Sequence, residues 1–166
     1  MDNLLSGIFG ALIATLLAIF YEVWTQKIKL RAEIAVMALS RVENIYFRLQ
    51  DLQGHAEGIY TDGKAFLEQE DYNKTCRELK DKLLSEELEI RLALLYGEKS
   101  EEVFLFNSLR KKLLEATLLL WEAKSENWTL IEQKVNAAFS EQIDPTRVKL
   151  KDKLLRGGGV GLFLTK

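Results

Sequence analysis

One cysteine, one proline and one histidine occur in 166 residues. A single cysteine, Cys76, cannot form an internal disulfide, and it fits a reducing compartment. With no second histidine to activate it, Cys76 reads as an inert part of a helix rather than a nucleophile. One histidine and one cysteine cannot supply a usual zinc site, so no metal is expected. No phosphate-binding loop is present, because "YTDGKAF" and "YGEKS" lack the required spacing. No cofactor or small-molecule substrate is implied. The near absence of proline and turn dipeptides leaves little room for a sheet-rich fold. The formal charge of -2 gives no global push toward nucleic acid. What remains is Leu, Glu, Lys and Ala, a helix-forming composition for one domain of modest core.

Charge is also absent from one long run. Residues 4–21, "LLSGIFGALIATLLAIFY", carry none. At ~1.5 Å per residue they span ~27 Å, close to the hydrocarbon thickness of a bilayer. Tyr21 and Trp24 fall where an interfacial aromatic belt lies, and Lys27, Lys29 and Arg31 follow. Only the amino terminus and Asp2 carry charge ahead of the run. The bias of positive charge predicts a single-pass helix with its N-terminus outside and its C-terminal side in the cytoplasm. A signal peptide fits less well: the leading residues lack Lys and Arg, and the bulky "AIFYEVW" makes a poor cleavage site. Gly7, Gly10, Ala11, Ala14 and Ala18 recur at three- and four-residue steps, a pattern that lets membrane helices approach closely. Asn3, Ser6 and Thr15 make no continuous polar stripe, so any pore would have a mainly apolar wall.

The predicted division is an anchor over 1–26, a cytoplasmic bundle over 27–156 and a glycine-rich apolar tail over 157–166. No helix breaker separates anchor from bundle, so the first helix is expected to run to about Gln53. Ala35, Ala38, Val42, Ile45, Leu49 and Leu52 form its 3-4 seam. Gly54, Gly58 and "TDGK" predict a break. A second helical region covers about 66–96, divided if Thr75 and Glu78 form a capping box, with Leu84, Leu88, Leu92 and Leu95 as its apolar row. Gly97 ends it. A third helix, about 100–125, presents Phe106, Leu109, Leu113, Ala116, Leu120 and Ala123. A fourth starts near Asn127 with Trp128, Ile131, Val135 and Ala138 inward. Asp144 and Pro145 read as the cap and first turn of a fifth, running to Leu155. These seams bury one another most economically in an antiparallel bundle.

One chemical pair remains. In "RLQDLQGH", Arg48 and His55 are seven residues apart, on one helix face and ~10 Å apart along its axis. Arginine stabilises phosphate charge and histidine transfers protons, as ribonuclease chemistry requires. A solvated arginine and a helix-end histidine explain the same residues without catalysis.

The combination resembles the small membrane accessory protein of type VI-B CRISPR systems: a short chain, one amino-terminal membrane helix, a cytoplasmic helical bundle and R-x6-H. That resemblance implies an all-α fold in which the transmembrane helix continues into a cytoplasmic HEPN-like bundle. It maps the family's R-x4-6-H element onto Arg48 and His55. Leu49 stands where the ribonuclease form favours a polar residue, which argues against nucleolytic activity. The resemblance further implies a bacterial inner-membrane protein with an antiphage role beside an RNA-guided RNA nuclease or its RNA products. It implies ring-like homo-oligomers that open a pore and depolarise the membrane. A membrane-tethered ribonuclease and a non-catalytic anchor or adaptor are the alternatives.

Overall fold

A computed structural model describes residues 2–61 and 69–157, with side chains described for 10–61 and 70–156. The described residues are helical and contain no strand. The elements are α1 (Asp2–Tyr60), α2 (Gln69–Leu84), α3 (Glu87–Tyr96), α4 (Glu101–Trp121), α5 (Trp128–Ala137), a π-helical segment (Ala138–Ile143) and α6 (Asp144–Gly157).

α1 is a single helix of 59 residues, ~88 Å at ~1.5 Å per residue. Its first half stands clear and its second half is the long side of the bundle. The seam Ala35, Ala38, Val42, Ile45, Leu49 and Leu52 is buried throughout, as the spacing predicts. The break expected at Gly54 does not occur: the helix continues through Gly54 and Gly58 to Tyr60. A lone glycine costs a helix only about 1 kcal/mol, and the burial of Leu52 and Ala56 on either side of Gly54 outweighs that.

α4 lies at the centre, in contact with every other element of the bundle. The predicted row from Phe106 to Leu120, continued by Ala123, is buried. Its N-terminus is capped by Ser100, whose Oγ accepts from the Val103 N–H at 3.3 Å. Gly97, at φ +96°, makes the preceding reversal, and its N–H donates to the Ala93 carbonyl at 2.9 Å.

Other sequence expectations shift by a turn or a residue. The region from 69 to 96 is two helices, but the division falls at Ser85–Glu86. Thr75 is no cap; inside α2 its hydroxyl donates to the Asp71 carbonyl at 2.9 Å. Leu84 is exposed, and Tyr72, Cys76, Leu79 and Leu83 form the buried row of α2. Asp144 is not a cap either. Helical backbone is continuous from Trp128 to Gly157, and the Asp144 N–H donates to the Phe139 carbonyl five residues back. The wide π turn sits just ahead of Pro145, which has no N–H to give to an ordinary α ladder. Phe139 is buried with Ala138 packed against the core beside it, and Ile143, Leu150 and Leu154 continue that face.

The bundle has two ends. The end from which the free half of α1 leaves, here the proximal pole, gathers Arg31, the C-terminus of α3, the start of α4 and the last turns of α6. Arg31 donates to the Leu95 carbonyl at 2.9 Å, and Lys153 pairs with Glu101. At the distal pole, the Tyr60 hydroxyl donates to the Ala123 carbonyl at 2.8 Å, and its ring lies 5.6 Å from Trp128.

Candidate functional site: a free apolar helix and the Arg48–His55 face

The free half of α1 is the most unusual surface of the molecule. From Leu12 to Trp24 the large apolar side chains are exposed, reaching 73% at Phe20 and 67% at Tyr21. None of the apolar window is buried. Isolated exposed leucines are ordinary, but a contiguous apolar cylinder marks an interaction or membrane surface. Among the described residues this is the one helix long and apolar enough to cross a membrane.

Its two described threonines are satisfied within the helix. The Thr15 hydroxyl donates to the Ala11 carbonyl and that of Thr25 to the Tyr21 carbonyl, both at 2.8 Å. Hydrocarbon tolerates a threonine only in this state. Gly10, Ala11, Ala14 and Ala18 are all exposed, and a Cβ added at Gly10 would meet nothing. Gly7 lies outside the described side chains.

Tyr21, Trp24, Lys27 and Lys29 are exposed where the apolar run ends. Arg31 differs from the other basic residues, because the bundle takes it up. Besides its bond to Leu95, its guanidinium lies 5.4 Å from the centre of the Tyr96 ring. A cation there meets the negative end of α3. Burial pushes the Tyr96 phenol up, opposed by Arg31.

Arg48 and His55 share the α1 face as their spacing requires, and both are half-buried. The fold gives Arg48 a carboxylate: Nη2 lies 3.3 Å from Glu78 Oε2 on α2. Its charge is already matched, on a face with Leu49 buried beside it. His55 lies five residues inside α1, not beyond its end. The structure thus joins Arg48 to Glu78, a partner that sequence spacing does not pair with it, and does not join it to His55.

A second cluster was invisible in the sequence. Arg147 of α6 packs 4.0 Å over the Tyr46 ring and reaches Glu43 Oε2 at 2.6 Å, tying α6 to α1. Asp144 Oδ1 lies 3.7 Å from Arg147 Nε. Burial first, then Asp144, pushes the Tyr46 phenol up. Residues 104 apart signal nothing in sequence, and this cluster reads as a staple between two helices.

The remaining groups offer little to a ligand. Burial raises the Cys76 thiol to about 11. Its neighbour Tyr72 donates to the Leu120 carbonyl at 2.7 Å. No group of three metal-ligating side chains exists among the described residues. A concavity between Arg41, Ile45, Leu83, Phe106 and Leu113 has a volume of about 20 Å³, room for a single water.

No protein family, curated protein or solved structure matches the chain.

Proposed function

We propose that the protein is a single-pass membrane protein whose α1 crosses the bilayer and rigidly carries a cytoplasmic helical bundle, and that copies of it associate in the membrane. One observation carries this reading: a fully exposed apolar helix runs unbroken into a buried seam. Water strongly disfavours such a cylinder, at roughly 25 cal/mol per Å² of apolar surface. Hydrocarbon accepts it, since a helix pairs its interior backbone groups within itself.

The small residues Gly10, Ala11, Ala14 and Ala18 support association, because they allow backbones of neighbouring copies to come close. The further step, a ring that permeabilises a bacterial inner membrane in RNA-targeted antiphage defence, rests on the resemblance to the type VI-B accessory proteins and their HEPN-like bundle. The pairing of Arg48 with Glu78 favours this reading over a ribonuclease, whose arginine must be free to meet phosphate.

Two measurements on the detergent-solubilised chain test it. Light scattering with detergent correction should give a discrete multimer, and reconstitution into dye-loaded vesicles should release dye. A monomer that leaks nothing leaves a tethered adaptor. A chain that stays in solution without detergent overturns the anchor itself.

A further inference from the structure

Where the bundle packs on α1, one side of that helix stays uncovered. From Glu33 to Asp51 every exposed residue of α1 falls within about 140° of arc, opposite the buried seam. Val36 is 51% exposed there and Phe47 is 55% exposed, with exposed Ser40 between them. A shallow groove between α1 and α6 flanks them, lined by Val36, Leu39, Phe47, Arg147 and Lys151.

The small residues of the free half lie on the same side. An α-helix repeats its heading about every 18 residues. Ala18 and Val36 therefore share a heading, as do Ala11 and Phe47 across two such repeats. The second line lies about 20° from the first, and Ala14 lies about 40° to its other side. A pattern that repeats with the turn of a straight helix stays on one side of it without supercoiling.

We propose that two copies pair in parallel through this whole face, from Ala11 to Phe47, around a two-fold axis along the membrane normal. The pairing presupposes that α1 spans the membrane and that copies associate there, and it carries their contact on between the bundles. Copies inserted the same way have parallel helices, and small residues let the axes approach to about 8 Å. α1 has no break between Ala11 and Phe47, so a neighbour that touches Ala14 and Ala18 runs on beside the bundle. That path is open because the bundle packs on the opposite side. Had the seam shared the heading of Ala18, the two bundles would collide. At the level of the bundle α1 has one uncovered side. A head-to-tail contact between α1 helices needs two, whereas a two-fold pair needs one. Charge fits as well. Lys29 and Glu33 are exposed on this side, one turn apart, so each copy can set its lysine toward the other's glutamate. Val36 and Phe47 then leave water, which otherwise disfavours them.

The test uses the full chain in vesicles of phosphatidylcholine and phosphatidylglycerol. It carries Ala18→Cys, Val36→Cys, Phe47→Cys or, on exposed α5, Leu130→Cys, one at a time. Copper phenanthroline joins two thiols only where they meet. Buried Cys76 gives no product, which the unsubstituted chain checks. Disulfide-linked dimer is expected at 18, 36 and 47, several-fold above the yield at 130. Phe47→Glu is expected to cut the yield at 36 to half or less with helical content unchanged. Dimer at 18 without dimer at 36 and 47 overturns the pairing and leaves association within the membrane standing. Equal yields at 36, 47 and 130 record random collision and overturn it too. A multimeric mass with no dimer at 18, 36 or 47 means that neighbours meet through different faces, and the pairing falls alone. A monomeric mass removes association itself, and the pairing with it.

Discussion

At Cys76, burial decides the chemistry. A thiol closed off by α2 and α4 loses the water that would stabilise its thiolate, so its titration moves from 9.0 to about 11. The folded state holds the proton more tightly than the unfolded chain does. Stability from this site is therefore complete below pH 9 and lost as pH rises from 9 through 11, by about 2–3 kcal/mol at most. Denaturant midpoints measured from pH 8 to 11 should fall for the unsubstituted chain and fall less for Cys76→Ala. An equal slope in both would place the alkaline loss elsewhere, with Tyr72 the first suspect. Aromatic disulfide reagents at pH 8 should titrate no thiol until the chain unfolds. The Arg48–His55 face makes a second prediction. Replacing a solvent-accessible pair such as Arg48–Glu78 costs about 0–1 kcal/mol, and among the described residues no hydrogen bond ties His55 to a partner. His55→Ala should keep the folding stability within about 1 kcal/mol and leave membrane leakage unchanged. An RNA-cleaving activity lost in that variant would restore the ribonuclease reading.

Among the elements, two glycines in similar sequence settings behave oppositely. Gly54 is exposed inside α1 with nothing near a Cβ, while Gly97 turns the chain at φ +96°. Gly54→Ala should stabilise by about 0.5–1 kcal/mol through helix propensity. Gly97→Ala should destabilise by about 1–2 kcal/mol through backbone strain. Thermal denaturation of both variants would check the signs, and a destabilised Gly54→Ala would mean that α1 bends there. The sequence made the seams of α1 and α4 legible, because 3-4 spacing is a local signal that burial merely ratifies. It could not show whether Gly54 breaks or bends into line, since the outcome depends on what α1 packs against beyond it. The π turn was equally hidden: Pro145 reads as a helix start until a continuous helix is seen to widen around it. The free half of α1 adds a prediction of its own. Gly10→Leu or Ala14→Leu fills the face that allows close approach, and should reduce the detergent-corrected mass toward that of a monomer. An unchanged multimer would move the association to the bundle.

For the whole molecule, the unbroken α1 makes orientation and mechanics one question. With α1 as the proposed membrane span, the bundle follows whichever side of the bilayer receives Trp24, because no joint separates the two. Exposed Lys27 and Lys29 lie on that side, while Arg31 is bound to α3. If α1 spans a bilayer as proposed, Lys27 and Lys29 are the charges left to set the side on which the bundle stays. Of the site residues, the long apolar helix near the N-terminus was legible in advance, since length and composition along one segment carry that signal. The Arg31–Leu95, Arg48–Glu78 and Arg147–Glu43 links were not, because each joins helices far apart in sequence. Intact spheroplasts treated with protease should lose a tag placed before Met1 and retain the bundle. Lys27→Glu and Lys29→Glu together, with two lysines added ahead of Asp2, should invert this, so that protease reaches the exposed loop at Glu98–Lys99. Protection of the bundle in both chains would mean that its folding, rather than the flanking charge, fixes the side on which it stays.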